Sequence, residues 1–356
     1  MVGKTEYISL INKPLFPIYS SSNSNAKKDC TILAADIGGT KTNLALFQAK
    51  EGKLSTLNEK FYPTKNYNSF IAMLKYFNTN SHIPIDCISL GVAGPVINGK
   101  VQGTNFPWVI DREEISKELQ ISSVSIINDM EANAYGLALL REKDLLEIQK
   151  GSNISGNAAI ISPGTGLGEV GIFWDGMHYH PFATEGGHCD FSPRNDLELN
   201  LWTCMHKKYN HVSWERIISG SGIYDIYQFL IEHKKLYEPE YIKQKMFLEN
   251  PAAVITNLGM NGKDTTCKET LNLFIKFLAV ESAQLALKLK ATGGIFIGGG
   301  IVPKIIQGFD KTIFKTNFSQ SGRLNKLLAM VPVKIILNEK TPLLGAAYYG
   351  YLVHNN

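Results

Sequence analysis

What most constrains this chain is a pair of glycine turns, each joining one apolar run to another. Residues 30–35, CTILAA, read as a buried strand, IGGT as a turn and NLALF as the returning strand, so Gly38 and Gly39 sit in a hairpin. P-loop and Rossmann glycine loops both run from a strand into a helix, and neither pattern fits here. A second copy lies at 158–174, where AAIISPGTGLGEVGIFW runs strand, glycine turn, strand and puts Gly164 in the place Gly38 holds in the first. Together they form a weak internal repeat, which leads us to expect two related lobes, each with a glycine hairpin, facing one cleft.

Between the hairpins, CISLGVAGPV reads as a strand ending in a turn, REEISKELQ as a short helix, VSIIND as a strand and MEANAYGLALLRE as a helix. This alternation predicts an α/β architecture. Residues 269–294 carry apolar positions at helical spacing and run into Gly293 and Gly294, which suit a helix C-cap. The strand IFI follows, GGGIVPKII turns into another helix, and PLLGAAYYGYLV reads as a last helix returning to the first lobe. Ahead of all this, the small polar run SSSNSNAKK at 20–28 marks residues 1–29 as an extension, open to flexibility, so the folded body is expected to start at Cys30.

Composition narrows the class. Lys and Arg number 36 against 32 Asp and Glu, and the basic residues are spread out, which argues against a nucleic-acid partner. Cys30, Cys87, Cys189, Cys204 and Cys267 form no CxxC pair, and an odd count fits reduced thiols in a cytoplasm better than a disulfide framework. No stretch reads as the ~20 apolar residues of a membrane span, and Asn12, Lys13 and Pro14 interrupt any signal-peptide core. A soluble protein without a membrane partner is expected, and the sequons at Asn153 and Asn317 carry little weight in it.

At these residues the chain resembles the bacterial glucokinase family, within the superfamily that also holds hexokinase, actin and the heat-shock chaperone ATPases. The likeness spans residues 30–354. ADIGGTKTNLALF is similar to the family's first phosphate motif, LGVAGPV to its connecting segment, SPGTGLG to its second phosphate motif and GGIFIGGGIVPKI to its adenosine segment; IINDMEANAYG, EGGHCDF and SWERIISGSG resemble its sugar-binding and catalytic stretches. The resemblance implies a two-lobed actin-like ATPase (ribonuclease H-like) fold with its active site in the interlobe cleft. The smaller lobe would comprise 30–139 plus 337–356 and the larger 140–336, with 1–29 outside the match. It also implies transfer of the terminal phosphate of ATP to the 6-hydroxyl of glucose, the entry step of glycolysis, in a cytoplasmic enzyme that forms a homodimer.

Phosphoryl transfer asks a protein to position groups and to stabilise negative charge. Glycines without Cβ let the chain turn with positive φ and bring amides close to phosphate oxygens, which suits Gly38, Gly39, Gly164 and Gly166; Thr40 and Thr165 add hydroxyl donors. Ordinary hairpin turns are the alternative. The resemblance places ATP against Ala35, Asp36, Ile37, Gly38, Gly39 and Thr40, against Gly164, Thr165 and Gly166, and against Gly298, Gly299 and Gly300, whose lack of side chains lets backbone lie against the base or ribose. Asp36, at a strand end beside the first turn, would repel phosphates unless a cation intervened, and by resemblance it sits near Mg²⁺ through water.

Asp129 follows the strand VSIIN and opens a helix, where it serves equally as an N-cap or as a carboxylate at the strand's carboxyl end. The resemblance makes it the general base that takes the proton of the attacking hydroxyl. It likewise places Asn105, Asn128, Asp129, Glu185, His188 and Glu215 around the sugar. Taken alone, His188 reads as a structural histidine, and Glu215 with Arg216 as a solvated helical pair. Lys41 stands where many relatives carry Asn.

A ROK-type kinase of another hexose or an N-acetylhexosamine is the nearest rival. It would carry a cysteine-rich zinc motif after the EGGH-like turn, whereas Cys189 and Cys204 lie apart with no CxCG cluster, so no structural zinc is expected. A sugar-sensing repressor would need a helix-turn-helix ahead of Cys30, which a segment holding Pro14, Pro17 and a serine-rich run does not offer. An actin-like or chaperone ATPase would have no use for a carboxylate, imidazole and amide set suited to a sugar.

Overall fold

The strand Cys30–Ile37 is buried along nearly its whole length, and a strand covered on both faces needs hydrogen-bonded neighbours on each side and a layer above and below. It finds them in the first of two units. The computed structural model describes residues 7–10, 16–19, 28–78, 83–103, 106, 108–152 and 154–355. One unit is made of Met1–Asp144, Asp175–Ala183 and Asn338–Asn356, the other of Leu145–Trp174 and Thr184–Leu337.

In the first unit a six-stranded sheet runs Tyr7–Ser9, Lys53–Pro63, Lys41–Lys50, Cys30–Ile37, Cys87–Val92, Val124–Asn128. The hairpin neighbours pair antiparallel, and Cys30–Ile37, Cys87–Val92 and Val124–Asn128 run parallel. Side chains alternate as the pleat requires. Leu33, Ala35 and Ile37 join a core with Phe70, Met73, Phe77 and Trp108. On the opposite face, Gly350 of the helix Thr341–His354 comes against Ile32 and Ser89. That terminal helix also packs on Asp129–Leu137, and at such close range that a Cβ on Gly345 would stand 1.7 Å from the carbonyl oxygen of Ala132. The chain's last helix therefore sets the position of the helix that begins with Asp129.

Ahead of Cys30, where the folded body was expected to start, two stretches add to this unit. Tyr7–Ser9 pairs antiparallel with Lys53–Ser55 and covers the edge of a long strand that would otherwise expose its backbone. Phe16 and Ile18 are buried, and Phe16 stacks on Tyr179 with ring centroids 3.8 Å apart. These apolar residues precede the polar run, of which 20–27 lie outside the described residues.

The second unit carries five strands side by side in the order Leu167–Trp174, Ala158–Pro163, Gly294–Ile297, Val333–Ile336, Leu145–Gln149. Its core gathers Trp214, Tyr227, Phe274, Phe277 and Phe191 with the inward face of the helix Thr265–Leu289. By length and composition that helix is apolar enough to cross a membrane, contrary to what the sequence alone suggests, but 78% of its most apolar window is buried inside the fold, as in the core helix of a soluble protein. Its end also differs from the expected glycine cap. Lys290 takes the left-handed conformation at φ 49°, Ala291 donates to Ala286, and buried Ala291 closes the motif. Gly293 and Gly294 instead lead into the next strand. The segment after Gly298–Gly300 is a 3-10 helix, Val302–Gly308.

Gly345→Ala tests the helix contact. Its methyl group has no room against backbone, so the variant is expected to lose roughly 1–3 kcal/mol and to unfold several degrees earlier in a thermal scan. An unchanged Tm would mean that the two helices do not meet as described.

Candidate active site

In the first unit the strand Cys30–Ile37 delivers Asp36 to the mouth of the first glycine hairpin, in register with Asn43 on one side and Gly91 on the other. Ala35 and Ile37 are fully buried and flank it within the sheet. The turn closes through Gly38 N–H donating to Lys41 O at 3.0 Å. Thr64, fully buried, braces it from outside: its hydroxyl donates to Gly38 O at 2.8 Å and its amide to Thr40 O at 3.1 Å. Nothing in the sequence pointed to Thr64, because its link to the hairpin arises only when the strand Lys53–Pro63 runs back alongside.

Burial, reinforced by the charge of Asp129 and opposed by Lys41, raises the Asp36 carboxyl to about 7. The Lys41 ammonium sits over the ring of Phe61, 3.7 Å from its centroid. Asp36 and Asp129 thus concentrate negative charge that one lysine only partly offsets, and a divalent cation held through water would suit that deficit. Among the described residues no group of three or more His, Cys, Asp and Glu side chains could hold a metal by itself.

Asn128, not Asp129, is the N-cap of the helix Asp129–Leu137. Its side-chain oxygen accepts from Met130 N–H at 2.9 Å, and its amide group donates to Gly94 O at 3.1 Å. Glu131 completes a capping box, its carboxylate accepting from the Asn128 amide at 3.1 Å and from the amide of Ala183. Asp129 is left in the first helical turn, where the helix dipole favours a carboxylate. Asn128 is largely committed to backbone, which the sequence did not reveal. Asn105 lies outside the described residues.

The second hairpin closes through Gly164 N–H donating to Gly166 O at 2.8 Å. None of Gly38, Gly39, Gly164 and Gly166 has positive φ, contrary to expectation. At Gly166 the glycine supplies space instead. A Cβ there would lie 2.4 Å from Oε2 of Glu215, and that oxygen accepts a hydrogen bond from Leu167 N–H at 3.0 Å. Glu215 and Arg216 are not a solvated pair, for the Arg216 guanidinium lies 4.3 Å from the centre of the Tyr209 ring.

The short turn Gly186–His188 is tied to the same strand and helix. Gly187 lies against Leu167 O, and Trp214 N–H donates to Cys189 O at 2.9 Å, bringing Glu215 and the Glu185–His188 turn to one neighbourhood. Glu185 and His188 are both exposed, so His188 is no buried structural histidine. Gly220, first residue of the helix Gly220–His233, donates to Gly164 O at 2.9 Å. Gly299 holds φ +80° with its Cα against Pro163 O, and Gly298 N–H donates to Ile161 O at 2.9 Å. Gly164–Gly166, Glu215 and Gly298–Gly300 therefore share one end of the second unit, with Thr165, Gly299 and Gly300 exposed.

Comparison with known proteins identifies the chain's relatives. A family model described as Glucokinase matches residues 33–352. The glucokinase of Nostoc sp. (strain PCC 7120) is 39% identical over 333 residues, covering 89% of this chain and 97% of that protein. Among solved structures, the glucokinase of an Antarctic psychrotroph superposes with a TM-score of 0.77 at 30% identity, covering 92% of this chain and all of that one. A ROK family glucokinase from Streptomyces griseus, crystallised with glucose and AMPPNP, reaches 0.60 at 18% identity over 89% of this chain and 98% of its own, a likeness of fold. These neighbours share the actin-like ATPase fold.

Thr64→Val keeps the volume but strands the Gly38 carbonyl. If the first hairpin holds nucleotide, ATP KM should rise by about 5- to 150-fold, the equivalent of roughly 1–3 kcal/mol, while glucose KM changes little. Equal changes in both constants would remove Thr64 from the nucleotide side.

Proposed function

The chain belongs to the glucokinase family, ATP-dependent kinases of glucose, and from that premise we propose that Asp129 is the general base and that the two glycine hairpins hold the phosphates of ATP. The observation that carries this reading is the place of Asp129 in the first turn of its helix, with Asn128 as the N-cap and the helix dipole favouring the carboxylate. Asp129 accepts the proton of the glucose 6-hydroxyl as that oxygen attacks the γ-phosphorus. The bond from phosphorus to the bridging oxygen breaks, and ADP leaves with the electron pair.

Amides of Gly39 and Gly166, with the hydroxyls of Thr40 and Thr165, face phosphate oxygens, whereas the amides of Gly38 and Gly164, expected to do the same, close the turns. Gly298, Gly299 and Gly300 lie against the adenosine. Asp36 would hold Mg²⁺ through water, and the ion, bound with ATP, would supply charge neutralisation on the phosphates. Glu185, His188, Glu215 and Asn128, with Asn105, bind sugar hydroxyls. The five thiols are free, which supports a reducing cytoplasm. A homodimer is proposed from the family, and sedimentation velocity decides it.

Asp129→Asn preserves shape and removes the proton acceptor, so kcat should fall by ~10²-fold or more with glucose affinity held within a few-fold. A kcat close to wild type would end the assignment.

Asp36 gives a second test. An acid raised to about 7 in the free enzyme is protonated below that pH and ionised above it. Since the cation needs the ionised form, kcat/KM for ATP should rise with pH through about 7, because that ratio reports the free enzyme's groups. Asp36→Asn should lower it and flatten the rise; an inflection that survives belongs to another group.

A further inference from the structure

Beneath the Glu185–His188 turn the structure holds two acids that the reaction does not use. Glu169, on the strand Leu167–Trp174, is 2% exposed, and Glu281, on the helix Thr265–Leu289, is wholly buried. Their carboxyl groups lie within hydrogen-bond reach of each other. Glu169 Oε1 and Glu281 Oε2 are both buried, and neither meets a donor among the described residues. Two ionised carboxylates in such a place would repel strongly and leave both oxygens unsatisfied. A single proton between them removes both problems, since one acid then donates and the other accepts. Lys288 Nζ, 3.2 Å from Glu281 Oε1, balances the remaining negative charge, so the trio of pair, proton and lysine is neutral.

The pair also touches the turn. Glu169 Oε2 stands 2.1 Å from where a Cβ on Gly186 would be, so only glycine lets the turn settle on that carboxyl. Thr184 Oγ1 donates to Glu169 O at 3.0 Å and accepts from Gly186 N–H at 3.3 Å, fixing the entry to the turn on the same residue. The side chain of Glu169 is thus the floor on which Glu185–His188 rests.

We propose that Glu169 and Glu281, joined by one proton, form a positioning pair for the Glu185–His188 turn, so that glucose binding weakens when the pair loses that proton. This rests on the reading of Glu185 and His188 as sugar ligands. On losing the proton the two carboxylates push apart, Glu281 is held by Lys288, and Glu169 is driven toward Gly186, displacing the turn. Burial raises both acids above the carboxylate range, and the charge of Glu169 raises Glu281 further, while Lys288 acts to lower both and the hydrogen bond with Glu281 acts to lower Glu169; Glu281 and Lys288 are the charged groups that act on Glu169, and Glu185 and His188 sit on the turn above. Each acid is therefore protonated more readily than usual, and the stabilised state is lost as pH rises.

The experiment follows glucose KM and kcat separately from about pH 6 to about pH 9. In the wild type, glucose KM should rise several-fold toward the alkaline end with kcat changing less. Glu169→Gln keeps the link through its amide and cannot lose a proton, so its glucose KM should stay flat across the range, and Glu281→Gln should behave alike. Glu169→Ala, which removes the floor, should raise glucose KM at every pH. If both Gln variants fold, as judged by thermal unfolding, and keep the wild-type pH dependence, the pair has no such role. Glu185→Gln separates the two ideas. A glucose KM unmoved by Glu185→Gln overturns the site reading and the proposal with it, whereas a raised KM there, beside a wild-type profile in Glu169→Gln, overturns the pair alone.

Discussion

Bringing carboxylates together in a partly dry place is the constraint around which the site is arranged. Each acid disfavours its neighbour's ionisation, and burial disfavours both. The structure answers differently in its two units. In the first, Asp129 gains the favourable end of a helix dipole, and Asp36 is left short of positive charge with only Lys41 to offset it. If the hairpins hold nucleotide phosphates, as proposed, a divalent cation brought with them would meet that shortage. In the second unit the acids Glu169 and Glu281 sit against a lysine, and their charge is met inside the protein.

The glycines divide along similar lines. Their positions in the two hairpins were legible from the alternation of apolar runs and turns, but the physical reason for them was not. Positive φ was expected at Gly38, Gly39, Gly164 and Gly166, and none shows it. Gly166 and Gly186 are instead required because a carboxylate from elsewhere in the chain occupies the space a Cβ would fill. Such a need depends on a partner remote in sequence, Glu215 in one case and Glu169 in the other, and a local pattern carries no trace of it.

Much of the fold was legible for the opposite reason. Strand and helix periods, the hairpin form of both glycine turns and the return of the last helix to the first unit are recorded locally in side-chain spacing. Asp129 could be located but not distinguished from a cap, since the side chains of Asn128 and Asp129 both accept from Met130 N–H, and it is the extended backbone of Asn128 and its capping box with Glu131 that make it the N-cap. The cap at Lys290 was hidden because glycines a few residues on offered a better-known signal. Thr64 and the Glu169–Glu281 pair were invisible, as each acts through residues far along the chain. The strand Tyr7–Ser9 was not legible because three residues are too few to show a strand period, and their partner Lys53–Ser55 is remote in sequence.

The contact between Gly345 and Ala132 bears on how the molecule is made. Most of the second unit, Thr184–Leu337, is one continuous stretch, whereas the first needs its opening residues, Asp175–Ala183 and the segment from Asn338 onward. As a chain emerges from the ribosome, the sheet that bears Asp36 and Asp129 must wait, with one face uncovered, until Thr341–His354 has been synthesised. The unit that carries Asp129 is thus completed last, and a chain that stalls before the helix Thr341–His354 holds every residue proposed for catalysis while lacking the layer that sets Asp129 in place.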